Sequence, residues 1–307
     1  MNKKNINTQV YSQKVELLLR LIPIVVEEGV FAIHGGTAIN LFMKDLPRYS
    51  VDIDLTYIPL SDRRQSIDDI NLHLQSISEK ARKAFKGMHI VPNYSTCKLL
   101  CEYRGKQVKV EVNQTKRGIV GGDVLTVPLS DRAQDEFGLY CEARIVPITQ
   151  LYGGKIAAAL SRQHPRDLFD VKYYMDVPLS ECREGLIFCL LGSDRPIHES
   201  FSPRFVDQRE AMANQFEGMT DIPFPYEEFE ETRKTLVEDV CHLMTESDKR
   251  FLLSFESGNP DWKGYEFEYF KDYPSVKWKL LNLKKLAKQN PQKLEEEVKQ
   301  LQDAFLI

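Results

Sequence analysis

One short strand limits what this chain can fold into, because it carries two aspartates. The segment VDIDLTYI, Val51 to Ile58, alternates with the period of a strand, so Val51, Ile53 and Leu55 point to one face and Asp52 and Asp54 to the other. Aspartate is a poor strand former. Two carboxylates sharing a face also repel each other unless a cation lies between them. The cation that suits an all-oxygen donor pair is a hard divalent ion, magnesium or manganese. Upstream, VFAIHGG reads as a strand that ends in the turn Gly35, Gly36 and Thr37, with Thr37 as the N-cap of a following helix. Consecutive glycines let backbone amides approach an anion, and a helix start aims its free N–H groups and positive dipole end at the same point. The Thr37 hydroxyl can donate to a phosphate oxygen. The turn and the strand together read as a phosphate cradle facing a metal site.

A third carboxylate fits this scheme. In KVKVEVN, Val108, Val110 and Val112 alternate with Lys109, Glu111 and Asn113, which places Glu111 away from the core side. If that strand neighbours the one bearing the aspartates, Asp52, Asp54 and Glu111 can hold two divalent ions, one organising a triphosphate and one activating a hydroxyl. Further along, TQLYGGKIAAALSR and PRDLFDVKYY read as helices. The Lys155 ammonium can neutralise a triphosphate, Arg162 and Arg166 can contact phosphates, and Asp167 and Asp170 lie three apart on one helix face, where either can orient Lys155. From the residues alone the acceptor stays open between RNA, a small-molecule hydroxyl and a protein side chain. A nucleotide-binding module without turnover is also compatible.

The surrounding pattern predicts an α/β fold over residues 1–178, a mixed sheet flanked by helices, followed by a mainly helical domain over 179–307. Helical spacing covers Tyr11 to Glu28 and Ser61 to Lys86. A hairpin turns at Gly105, and DVLTVPL and EARIVPI are short strands. The aromatic segments FPYEEFEE and GYEFEYF have acidic neighbours and read as core and rim of the helical part, while the charges of the last two helices form a solvated face. A formal charge of −4 gives no global reason to expect nucleic acid, so the partner class must come from sites. The six cysteines show no metal-ligand spacing and read as reduced thiols. With no secretory leader and no apolar run of membrane-spanning length, the expected location is the cytoplasm, with no membrane partner.

Four motifs in this order resemble one family. GGTAIN with RYSVDIDL supplies Gly35, Gly36, Thr37, Arg48, Ser50, Asp52 and Asp54; Lys109-Val-Glu111 follows; then Thr149 and Lys155; then Arg166, Asp167 and Asp170. The set resembles the AbiEii-type nucleotidyltransferase toxins, related to MenT-type toxins, within the DNA polymerase β-like nucleotidyltransferase fold. The resemblance covers residues 15 to 178. It implies a pyrophosphate-releasing enzyme with Mg2+ or Mn2+ as cofactor and a nucleoside triphosphate as substrate. It also implies tRNA as acceptor, growth inhibition as outcome and a cognate antitoxin as partner. The site it implies comprises Asp52, Asp54 and Glu111 as metal ligands, Gly35, Gly36, Thr37, Arg48, Lys155 and Arg166 around the nucleotide, and Lys155, Asp167 and Asp170 in catalysis.

Overall fold

A computed structural model describes residues 3–306. The chain forms two compact units, Met1–Pro147 with Ala211–Pro223, and Ile148–Glu210 with Phe224–Ile307. The division falls at 147, earlier than the change of sequence pattern near 178, because the helix after 147 packs against one that follows 178.

The first unit is built on a mixed seven-stranded sheet. In chain order its elements are α1 (Lys3–Val26), β1 (Phe31–His34), a helical turn α2 (Gly35–Thr37) running into a π-helical turn (Ala38–Met43), β2 (Asp52–Tyr57), α3 (Arg63–Ala84), β3 (His89–Asn93), β4 (Lys98–Tyr103), β5 (Lys106–Val112), β6 (Leu125–Pro128), α4 (Asp131–Phe137) and β7 (Glu142–Ile145). The strand order is β3-β4-β5-β2-β1-β7-β6. β2 lies at its centre, antiparallel to β1 and parallel to β5. Ile33, Ile53, Leu55, Val110 and Val112 are fully buried, and so are Leu18, Leu21 and Ile22 of α1 and Ile70, Leu74 and Ile77 of α3, the helices that pack on the sheet. At about 25 cal/mol per Å² of apolar surface, this layer is the main source of the unit's stability.

Two elements escape the sequence pattern. β3 is an edge strand that contains Pro92 and buries only Ile90 along its length, so it lacks the alternation that marks a half-buried strand. α4 is two turns long and is closed by Gly138 in the left-handed region, φ 58°.

The second unit is helical: α5 (Ile148–Arg162), α6 (Pro165–Tyr174), α7 (Leu179–Leu191), the start of α8 (Arg209–Ala211), whose last residue and following π-helical turn are counted with the first unit, α9 (Tyr226–Leu243), α10 (Glu246–Glu256), α11 (Pro274–Gln289) and α12 (Pro291–Phe305). α5 and α7 touch backbone to backbone. A Cβ on Gly153 would run into the Leu186 amide nitrogen, and one on Gly185 into the Thr149 carbonyl. The Gly185 amide donates to Thr149 Oγ1 at 3.1 Å. The aromatic segments lie inside this unit, with Phe229, Phe270 and Phe255 fully buried and Phe251 stacked on Tyr265 at 3.8 Å. All six cysteines are free. Among the described residues no helix is long and apolar enough to cross a membrane.

Candidate active site

The register of the central strands decides which side chains meet. Lys98 of β4 pairs with Glu111 of β5, Glu111 with Asp54 of β2, and Asp54 with His34 of β1. Partners in register point to the same face, so Lys98, Glu111, Asp54 and His34 form one row across four strands. The row beside it places Lys109 opposite Asp52. The alternation read from the sequence is therefore realised: Ile53 and Leu55 are buried, while Asp52 and Asp54 are half-buried on the opposite face.

The glycine turn is pressed against this row. A Cβ on Gly35 would stand 3.1 Å from Asp54 Oδ2, and Gly35 has φ 73°, which favours glycine. A Cβ on Gly36 would stand 2.8 Å from Ser50 Oγ and 2.9 Å from the Arg48 guanidinium. The helical turn starts at Gly35, with His34 as its N-cap, so Thr37 lies inside it and does not cap it. Thr37 is buried, and its hydroxyl donates to the Asp52 carbonyl oxygen at 2.5 Å and lies 3.1 Å from Ser50 Oγ. A hydroxyl has one proton to give, so Thr37 ties the turn to the start of β2 and is not a free donor for phosphate.

Arg48 is buried, and its guanidinium donates to the Tyr49 carbonyl at 2.9 Å. The loop it sits on is fastened by a distant piece of chain. The Tyr49 amide donates to the Met219 carbonyl at 2.8 Å, and Thr220 Oγ1 donates to the Pro47 carbonyl at 2.9 Å.

Glu111 is held by two ammonium groups. Lys98 Nζ lies 2.8 Å from Oε1, and Lys109 Nζ lies 2.9 Å from Oε2. Burial by itself would raise the Glu111 pKa, but hydrogen bonds from the two lysines outweigh it and hold the carboxyl below its ordinary value. Burial would likewise lower Lys109, yet Glu111, Asp52 and Asp54 together keep its pKa raised. The sequence motifs do not single out Lys98. The register of the Gly105 hairpin, counted back from the turn, is the signal that puts it opposite Glu111.

The donor set tests the fit to a divalent ion. Asp52 and Asp54 offer oxygen ligands on one face, which suits magnesium or manganese. Among the described residues no group of three His, Cys, Asp or Glu side chains is arranged to hold a metal, and each Glu111 oxygen is paired with a lysine. The aspartate pair therefore fits the ion, and Glu111 is placed as an anchor for two lysines.

In the second unit, α5 and α6 bring the other predicted residues together. Lys155 Nζ lies 3.0 Å from Asp167 Oδ1 and 2.9 Å from Asp170 Oδ2, with the lysine side chain 4% exposed. Arg162 reaches the other Asp167 oxygen at 2.8 Å. α6 begins at Pro165, which suits a first helical position, and His164 Nδ1 accepts from the Arg166 amide at 3.1 Å as its cap. The half-buried Arg166 is thus fixed at its backbone. Buried charges persist only when paired, and here one ammonium is clamped by two carboxylates three residues apart. Both Asp167 and Asp170 orient Lys155, where the sequence leaves the choice between them open. Gly153, two residues before Lys155, serves the α5–α7 contact.

Comparison with known proteins bears on the fold and the family. In fold the chain is similar to the nucleotidyltransferase toxin MenT4 from Mycobacterium tuberculosis H37Rv, with a TM-score of 0.62 at 12% identity over 92% of this chain and 95% of that one. No curated protein matches the chain. The family described as nucleotidyl transferase AbiEii toxin, type IV toxin–antitoxin system, matches residues 16–280. The chain accordingly belongs to the AbiEii nucleotidyltransferase toxins of type IV toxin–antitoxin systems.

Proposed function

We propose that this toxin transfers a nucleotide from a nucleoside triphosphate to a hydroxyl of an RNA acceptor, tRNA, and releases pyrophosphate. The observation that carries the reading is the row Glu111, Asp54, His34 with the Gly35–Gly36 turn pressed directly onto Asp54. Asp52 and Asp54 hold the divalent ion, Mg2+ or Mn2+. When bound, such an ion supplies positive charge for the triphosphate and lowers the pKa of the attacking hydroxyl. Gly35 and Gly36 present backbone to the phosphates, and Thr37 holds that backbone in register with Asp52. Arg48 fixes the loop entering β2.

Glu111 has two candidate roles, completing the anionic site or acting as base. Its lowered pKa makes it a weak base at neutral pH, so completing the site and holding Lys98 and Lys109 is the role that fits. Within the second unit, Lys155 is a cation suited to phosphate charge, Asp167 and Asp170 are the carboxylates that position it, and Arg166 is a cation suited to a phosphate contact. The antitoxin is the partner that goes with a toxin of this family. Growth inhibition follows from a modified tRNA pool.

The test is incubation with each α-labelled triphosphate and total tRNA, with Asp54→Ala as control. Label in the RNA with at least one triphosphate, absent in the control, is the expected result. Label in a small molecule or protein of a whole-cell extract, with tRNA unlabelled, overturns the acceptor.

A further inference from the structure

We infer that α11 carries an RNA-binding face, a site for the acceptor's phosphate backbone with a base platform at one end; this rests on the RNA-acceptor reading above. The helix PSVKWKLLNLKKLAKQ has no acidic residue, in a chain whose acids outnumber its basic residues by 45 to 41. Its two faces are unlike. The inward face buries Val276, Lys279 and Leu283. Lys279 is consumed there: its ammonium donates to the Arg195 carbonyl at 2.7 Å and to the Leu190 carbonyl at 3.2 Å, and it lies 3.9 Å from Glu256.

The outward face runs Trp278, Leu281, Lys285 and Lys288, at the i, i+3, i+7, i+10 spacing of one helical stripe, with Lys284 alongside. Trp278 is 52% exposed and Leu281 is 61% exposed. Lys284, Lys285 and Lys288 are all exposed and form no ion pair within the described residues. α12 follows directly but is different in kind. Its acids Glu295, Glu296, Glu297 and Asp303 outnumber its lysines, Lys293 and Lys299, and Glu297 lies 3.7 Å from Lys293.

An exposed tryptophan beside uncompensated lysines suits single-stranded or looped RNA: ammonium groups track phosphates without sequence preference, and the indole offers a stacking surface for any base. Charge complementarity favours RNA because the toxin's own acceptor is a polyanion. Lysine, as a flexible point charge, serves phosphate well.

The test is RNA binding by the full chain across a salt series, read by anisotropy of labelled total tRNA and by tryptophan emission. The variants are Lys284→Gln/Lys285→Gln/Lys288→Gln, Trp278→Ala, and Lys106→Gln as a lysine control in β5 of the other unit. Removing three phosphate contacts lowers affinity on the order of tenfold or more near 0.1 M salt and makes the log–log salt slope shallower by about 2 to 3. Trp278→Ala loses about tenfold with the slope kept. Lys106→Gln matches the parent. A saturable change in tryptophan emission on adding tRNA, absent in Trp278→Ala, is also expected.

Parental affinity and slope in the triple variant overturn the inference while leaving the acceptor reading intact, even if the face then proves to hold an acidic protein. Loss of the acceptor reading shows separately, as no nucleotide transfer to RNA by the parent with any triphosphate. Circular dichroism of each variant confirms that the helix is kept, so a lost affinity is a lost contact.

Discussion

Thr37 shows how closely the candidate site is keyed to single atoms. Its buried hydroxyl holds the turn to the Asp52 carbonyl at 2.5 Å. Thr37→Ser keeps that donor and retains transfer activity. Thr37→Val leaves the Asp52 carbonyl without it, costing about 1–3 kcal/mol in denaturant unfolding and lowering kcat, because the aspartates shift with their strand. Gly36→Ala places a methyl 2.8 Å from Ser50 Oγ and against the Arg48 guanidinium. We expect a folded protein with transfer reduced more than tenfold, read from steady-state rates with the unfolding midpoint as reference. The charge on Glu111 gives a pH signature. Its folded pKa lies below the ordinary 4.5, so its contribution to stability is present above that value and is lost as pH falls through the folded value. Glu111→Gln should therefore lose less stability than the parent between neutral pH and pH 3, measured by urea midpoints across the series. Asp52, Asp54 and Glu111 were legible in the sequence because strand alternation alone fixes their face. The use of Thr37 was not, since a hydroxyl beside a glycine turn looks the same whether it faces a ligand or a neighbouring carbonyl.

At the level of elements, two junctions carry the arrangement. α5 and α7 touch through Gly153 and Gly185, and the Gly185 amide is capped by Thr149. Gly153→Ala forces the helices apart and costs on the order of 3 kcal/mol or more, seen as a lower thermal midpoint; Gly154→Ala, whose Cβ meets only Cys189 Sγ at 3.8 Å, should leave the midpoint near that of the parent. The α5–α6 pair holds Lys155 between Asp167 and Asp170. Asp170→Ala removes a carboxylate from a buried ammonium and should destabilise by about 3–5 kcal/mol. The helices were readable from their 3.6-residue spacing, and the hairpin at Gly105 from its period of two. The glycines in α5 gave no hint of their purpose, because the partner that demands them, Gly185, is distant in the chain. β3 was hidden for a related reason: an edge strand with Pro92 and one buried residue has no periodicity to show.

For the whole molecule, the division into two units cuts across the order of the sequence. Residues 211–223 return to the first unit, where Met219 and Thr220 hold the loop that leads into the aspartate strand. Nothing in the local pattern of that segment announces such a role, as the hydrogen bonds that fasten the loop go to residues 47 and 49, more than 160 positions away in the chain. The neighbours of β2 were only a condition in the sequence, and the register supplies them: β1 on one side and β5 on the other, which brings Glu111 beside Asp54. The central claim is that nucleotide transfer occurs at the aspartate row on β2. Its most direct test is the rate of nucleotide transfer to tRNA by Asp52→Asn and Asp54→Asn, each compared with the parent at saturating triphosphate and with unfolding midpoints recorded. The expected result is a loss on the order of 10³-fold in each with midpoints close to the parent's; a folded Asp54→Asn protein that retains transfer within tenfold would contradict it.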